Sequence, residues 1–326
     1  MTSARELRLA VLGALRPAVP FDAYVWPLTD PDTAVGTAPL ADVPGLHRLP
    51  ELIVLKYTTT INRWTDLQAP ASLLASTNGH PEASPLWQNW QREYDVVDVA
   101  SAVHRDRYGC WAFLDLWRLA GAAPFAPAEL RLLHDVGPAL TRALRTAQAA
   151  AFAQPTGHDV QRVAAPAGPL VLVLSADLRI HAQTPQTADY LRVLLPPSNP
   201  AAEVVPAGAY NVAAQLLAFE AGLSAQAPRA RMHLRDGVWL TMRAARMRSD
   251  DAADNVAVTI ESSTPAEVLD IYCRSHAFTG RETDIIRKAV DGSGTREIAR
   301  ALFLTENTVQ HHLKSIYAKT SVRSRG

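Results

Sequence analysis

Cysteine is almost missing from this chain. Cys110 and Cys273 are the only two, far apart and without CxxC or Cys/His ligand spacing, so neither a disulfide framework nor a zinc site is indicated. Also missing is any apolar run near the roughly 20 residues that a membrane helix needs. The opening MTSARELRLAVLGALRPAVP is interrupted by Glu6 and Arg16; Ser3 and Glu6 form a capping box, which reads as an amphipathic helix rather than a secretion signal. Net charge is absent as well: 32 basic residues balance 32 acidic ones, which argues against wholesale coating of nucleic acid. The chain lacks GxSxG, P-loop, GxGxxG and HExxH motifs, and Asp115 is a carboxylate in a strand pattern beside Trp117 with no evident partner. No receiver-type pattern of strand-end acids with a later lysine occurs. The expectation is a non-enzymatic protein without metal or cofactor, at home in a reducing cytoplasm.

At 326 residues the chain can hold two or three domains. In the first segment, FDAYVWPLTD reads as a strand, and PELIVLKY and SPLWQNWQREY read as helices. YDVVDVASAVHRD and YGCWAFLDLWR read as adjacent strands near a sheet centre. PAELRLLHDVGPALTRALRTAQAAAFA then closes the segment with one or two helices. Cys110 reads as a small core residue. The tryptophans concentrated here are core, with room for some to line an apolar pocket. Proline and glycine in AQPTGHDVQRVAAPAGP mark a boundary. Beyond it, PLVLVLSADLRIHAQTPQTADYLRVLL reads as strand, turn at Ala176 and Asp177, strand and helix. RARMHLRDGVWLTMRAARM is a hairpin about Asp236 and Gly237, and NVAVTIE is a last strand. His181 and His233 fall in these strand patterns without further support for a ligand role. Thr264, Pro265 and Glu267 then start a helix through PAEVLDIYCRSHAF.

The most informative stretch is TENTVQHHLKSIYAK, residues 305 to 319. At about 100° per residue, Val309, Leu313, Ile316 and Thr320 fall on one side, with Tyr317 at their edge. Asn307, Gln310, His311, Lys314 and Ala318 fall on the other. Alone, such a polar side is an ordinary solvated surface. Amide, imidazole and ammonium groups are nevertheless the ones that address base edges and phosphates in a major groove. His311 and His312 point about 100° apart and so cannot share one metal ion.

Upstream, FTGRETDIIRKAVDG opens with a capping box of Thr279 and Glu282 and should stop at Gly292. Ile285, Ile286, Ala289 and Val290 are its expected buried stripe. TREIARALFL starts a second helix, with Thr295 expected as its cap and Ile298, Ala299 and Leu302 facing inward. A tight turn at Phe303 and Leu304 follows. Thr305 caps the third helix, with Thr308 at N3. Two short helices about a tight turn, the second polar outside, are the helix-turn-helix arrangement. From residue 279 onward nine basic side chains face five acidic ones, a net of +4, which leaves −4 on the rest. The electrostatic footprint for nucleic acid is thus confined to one module.

FTGRETDIIRKAVDGSGTREIARALFLTENTVQHHLKSIYAKTSVRSR resembles the LuxR-type DNA-binding domain. The residues that carry the likeness are Thr279, Arg281, Glu282, Gly294, Glu297, Ile298, Ala299, Leu302, Thr308, Val309, His312, Leu313, Ile316, Lys319, Val322 and Arg325. Phe278 replaces the usual leucine, Thr305 replaces serine, and Gln310 stands where many members carry lysine. The resemblance implies base contacts by Gln310, His311 and Lys314, assisted by Asn307 on the same face. By resemblance and charge, phosphate contacts fall to Thr305, Thr308, Lys319, Arg323 and Arg325. In that family another helix follows, so this segment is expected to lack its last helix.

The first segment resembles a GAF-type sensory domain and the middle one a PAS-like domain. The expected organisation is multidomain α+β. A GAF-like domain over 1–153, a linker over 154–169 and a PAS-like domain over 170–263 precede a connecting helix over 264–278. An all-α LuxR-type helix-turn-helix over 279–326 follows. The expected function is sequence-specific DNA-binding transcription regulation, responsive to a small ligand or partner. The expected partners are double-stranded DNA and a second copy, because one helix reads only a few base pairs, together with a small-molecule ligand and no membrane. The alternative is a ligand-binding signalling adaptor without effective DNA binding.

Overall fold

A computed structural model describes residues 3–153, 168, 170–194, 206–233, 238–247 and 254–320. The chain begins with α1 (Ala4–Leu15), whose Ser3–Glu6 capping box forms as the sequence implies. Strands β1 (Ala23–Val25) and β2 (Ala41–Asp42) follow, then α2 (Leu49–Thr58), β3 (Ala71–Ser72), α3 (Leu73–Ser76) and α4 (Pro85–Asn89). The long pair β4 (Val96–Asp106) and β5 (Gly109–Leu119) comes next, and α5 (Pro127–Ala150) ends the segment. The sheet runs β2-β1-β5-β4-β3 with antiparallel pairs.

Alternation along β4 and β5 gives this sheet two apolar faces. Ala100, Ala102, Leu114 and Leu116 pack under α1 and α5 with Trp26, Leu12, Leu133 and Leu144. On the opposite face, Val99 and Trp117 meet Leu52, Leu86 and Trp90, while Cys110 and Phe113 meet Trp64. Asp115 does have a partner, contrary to the sequence reading. The Lys56 ammonium lies 2.9 Å from it, and both side chains are nearly fully buried. Trp64 Nε1 donates to the same carboxylate at 2.8 Å and Ser101 Oγ at 2.6 Å. The partner comes from α2, far away in sequence, where periodicity could not announce it.

A second antiparallel sheet contains β6 (Leu170–Leu174), β7 (Ile180–Gln183), β8 (Arg229–His233), β9 (Trp239–Arg246) and β10 (Val256–Ser262), in the order β7-β6-β10-β9-β8. Helices α6 (Thr187–Leu194) and α7 (Ala207–Glu220) belong to this segment. α7 is absent from the sequence reading. Eleven of its fourteen residues are buried, so it carries no polar side to set a period. It packs between the second sheet and α2. Gly208 makes the closest approach, since a Cβ there would stand 2.9 Å from Met232 Cε. Leu172, Leu240, Val258 and Ile260 share one core with Ala213 and Leu216 of α7, and with Val35, Ile53 and Tyr57 of the first segment. The two sheets therefore bury a common interior. The expected hairpin residues Asp236 and Gly237, and the expected linker apart from residue 168, lie outside the described residues.

Ion pairs cross the same boundary. Arg231 of β8 clamps Asp30 at 2.7 Å, with side-chain exposures of 2% and 0%. Its other guanidinium nitrogen reaches Asp270 at 2.9 Å. Asp270 lies on α8 (Pro265–Ser275), the connecting helix, capped by Thr264 and Glu267. Burial alone would raise the Asp270 pKa, but hydrogen bonds from Arg231 and the positive charge of Arg274 hold it below the usual carboxylate value. Arg274, one helical turn on, pairs with Asp32 at 2.6 Å and donates to the Tyr108 carbonyl at 3.2 Å. Three more helices follow: α9 (Gly280–Val290), α10 (Thr295–Ala301) and α11 (Glu306–Thr320). No helix among the described residues is long and apolar enough to cross a membrane.

Candidate nucleic-acid interface

Cys273, Phe278, Ile285, Ile298, Ala299, Val309, Leu313 and Ile316 make the small core of the C-terminal module. The Thr279–Glu282 capping box opens α9, with the Thr279 N–H donating to the Glu282 carboxylate at 2.7 Å and the Glu282 N–H to Thr279 Oγ1 at 3.2 Å. Gly292 stands just past its end at φ +88°, the left-handed geometry that suits glycine. Val290 departs from the expected stripe and is 61% exposed. It sits at the helix end, where the chain turns away from the core.

The cap of α10 also differs from expectation. Gly294, one residue before Thr295, is the N-cap, and its N–H donates to the Glu297 carboxylate at 2.7 Å. Glutamate three residues on supplies the reciprocal half of a capping box without needing a capping hydroxyl. Phe303 forms the turn in left-handed geometry at φ 54° and is almost fully solvent-exposed. Thr305 then receives the Thr308 N–H on its hydroxyl at 3.1 Å, and the two hydroxyls lie 2.8 Å apart.

α11 presents its two sides as the period implies. Val309, Leu313 and Ile316 are buried, with Tyr317 and Thr320 half-buried beside them, while Asn307, Gln310, His311, Lys314 and Ala318 are exposed. The exposed row spans about 16 Å along the axis at 1.5 Å per residue. A helix of this girth enters a major groove about 12 Å wide. Thr305 and Glu306 are exposed at the leading end and Thr308 is half-buried. Gln310, His311 and Lys314 are therefore brought together on one accessible strip, with Asn307 one turn before them.

Lys319 is engaged within the protein. Its ammonium pairs with Glu282 at 2.7 Å and donates to the Ala277 carbonyl at 3.1 Å. Ser315 Oγ donates to the other Glu282 oxygen at 2.6 Å. Glu282 is 3% exposed. Burial would raise its pKa, but the hydrogen bonds from Lys319, Ser315 and Thr279 outweigh that and hold it at about 2. One buried carboxylate thus ties the first helix of the module to the last turn of the third. The sequence marks Glu282 as a cap alone; its contact with Ser315 joins side chains on different helices and leaves no local signal. Arg323, Arg325 and Val322 lie outside the described residues. The His311 and His312 rings lie 6.2 Å apart and near-perpendicular.

Three helices about a tight turn, the last with one greasy and one free polar side, define a helix-turn-helix module. Residues 276–326 match the family of bacterial regulatory proteins, luxR family, and this C-terminal segment is a LuxR-family helix-turn-helix domain. The CsgBAC operon transcriptional regulatory protein of Escherichia coli K12 is 43% identical over 51 residues, which is 16% of this chain and 24% of that protein. The transcriptional regulatory protein DesR of Bacillus subtilis is 31% identical over 61 residues, 19% of this chain and 31% of that one. The chain spans only about a quarter to a third of the length of these curated relatives. Among solved structures, Escherichia coli SdiA aligns with all of this chain and 87% of its own, at 14% identity and a TM-score of 0.36, too loose a likeness to assign a fold family to either sheet domain.

Proposed function

We propose that the protein is a cytoplasmic, sequence-specific DNA-binding transcription regulator that acts as a homodimer and performs no catalysis. Its C-terminal module, 279–326, reads the major groove, and 264–278 connects that module to a GAF-like domain over 1–153 and a PAS-like domain over 170–263. Gln310, His311 and Lys314 contact base edges, with Asn307 assisting. Thr305, Thr308, Arg323 and Arg325 hold phosphates. Lys319 joins them only by sharing its ammonium with Glu282. The observation that supports this reading best is the exposed polar row on α11, set opposite a fully anchored apolar one.

The test is selection of bound duplexes from random DNA with the full-length protein, repeated with Gln310→Ala and Lys314→Ala. The expected result is a two-fold repeated half-site. Each base contact should contribute about 1 to 3 kcal/mol, so each variant should relax preference at one position of each half-site. Unchanged affinity and unchanged preference in both variants would end the assignment. Absence of any duplex binding at moderate salt would favour a ligand-binding signalling adaptor instead.

A further inference from the structure

Between β4 and α5 the first sheet domain carries an open cleft of about 520 Å³, within the size range of small-molecule sites. It lies on the α1/α5 face of the sheet, opposite the Lys56–Asp115–Trp64 cluster. On that opposite face a space of about 10 Å³ lies near Trp64, about the least that holds one water.

His104 of β4 lines it. The imidazole is 2% exposed, and it stacks on Trp26 with ring centroids 5.6 Å apart. The Gly137 backbone lies beside the ring and partly offsets its burial, but neither ring nitrogen makes a well-formed hydrogen bond within the protein. A buried polar group left in that state is costly, and burial pushes the pKa of this imidazole down to about 4. It is thus neutral near pH 7 and offers one N–H donor and one lone pair.

Pro138 sits inside α5 and supplies no N–H. Gly137 beside it lines the cleft, and a Cβ added there would meet no atom within 4 Å. Charge around the cleft is one-sided. Arg107, Arg142 and Arg145 line it against a single carboxylate, Asp106, while the Arg105 guanidinium donates to the Thr65 carbonyl on the opposite face. Asp106 is already occupied by Arg145, the Tyr108 N–H and Trp111 Nε1. This excess sits on a body whose net charge outside the C-terminal module is negative, so it is a local feature that attracts anions. Leu133 and Ala102 supply apolar wall.

We propose that this cleft binds a small organic carboxylate whose apolar body carries a hydroxyl. The arginines at the mouth meet the carboxylate, Arg142 first, and the hydroxyl completes the hydrogen bonding of His104. The hairpin that walls the cleft also anchors the connecting helix, because the Tyr108 carbonyl accepts from Arg274 of α8. Occupancy is thereby placed one residue from the path to the helix-turn-helix.

Calorimetric titration of the full-length protein, without DNA, tests this separately from the proposed regulatory role. The probes are 4-hydroxybenzoate, 4-hydroxyphenylacetate and 4-hydroxycinnamate, each beside its methyl ester. At least one acid should bind, and bind about tenfold or more tightly than its ester. Arg142→Ala, at an exposed position, should cost the acid about tenfold and leave the ester unchanged. Gly137→Leu, whose side chain enters open space, should abolish binding of both. His104→Phe keeps the ring stack, and it should remove the advantage of 4-hydroxybenzoate over benzoate. Should none of the acids bind, or should esters bind as well as acids, the proposal is overturned. Binding that survives Gly137→Leu in a folded protein overturns it equally.

Discussion

At Asp115 a carboxylate that is 2% exposed is held by an ammonium from α2, an indole N–H from the segment after it and a hydroxyl from β4. Lys56 reaches it from α2, with its charge 4.7 Å from the Trp64 ring centre. Removing one member of a buried pair leaves the other charge uncompensated, which costs more than the pair itself contributes. Asp115→Asn should therefore destabilise the protein by about 3 to 5 kcal/mol, read as a lower urea midpoint. Lys56→Met with Asp115→Leu should recover only part of that loss, because the Trp64 N–H and the Ser101 hydroxyl then lose their buried acceptor. A single substitution costing less than about 1 kcal/mol, as a surface pair would, would show that water reaches the pair. At this scale the sequence was mute. Lys56 and Asp115 are 59 positions apart, and no local pattern joins them. The exposed row of α11 was legible for the opposite reason, since a period of 3.6 and a threonine cap are written into fifteen consecutive residues.

Between elements, the C-terminal module is tied by Glu282. It belongs to the capping box of α9 and accepts from Ser315 and Lys319 of α11. Its pKa is depressed from 4.5 to about 2. The sign follows from linkage: the unfolded chain holds the proton more tightly, so this contribution is fully present above pH 4.5 and is lost as pH falls toward 2. A shift of that size corresponds to something on the order of 3 kcal/mol. Thermal unfolding followed by circular dichroism between pH 5 and pH 2 should show the module losing stability over this window. Glu282→Gln should be less stable at pH 6 and flatter in its pH response. A variant with the wild-type slope would mean that other carboxylates govern the acid transition. The helices themselves were readable because caps punctuate them; the α10 cap moved by one residue because the Gly294 N–H meets the Glu297 carboxylate, which supplies one half of a capping box with no side chain at the cap. α7 was unreadable because burial on all sides erases the polar stripe by which a helix is recognised.

Across the whole molecule, the two sheets and the connecting helix meet at Asp30 and Arg231. Asp30 accepts the Arg231 backbone N–H at 2.8 Å as well as its guanidinium, and the other side of that guanidinium holds Asp270 of α8. These residues are about two hundred positions apart, so the boundary at 153 to 170 divides the sequence more cleanly than it divides the packing. Val35, Ile53 and Tyr57 lie in the core of the second sheet. The two sheets are then expected to unfold in one cooperative step, with apolar contact supplying the bulk of the attraction and the buried pair fixing which surfaces meet. Asp30→Asn, or Arg231→Met alone, should cost about 3 to 5 kcal/mol because each leaves a desolvated partner. The double variant Asp30→Leu with Arg231→Met should cost far less than the sum of the two. A double-mutant cycle by urea unfolding measures that coupling. Calorimetry on Asp30→Asn asks the structural question: a second heat-absorption peak would mean the pair, not the shared core, holds the sheets as one unit. A coupling energy near zero would instead leave Arg231 as a tether of α8 through Asp270 alone.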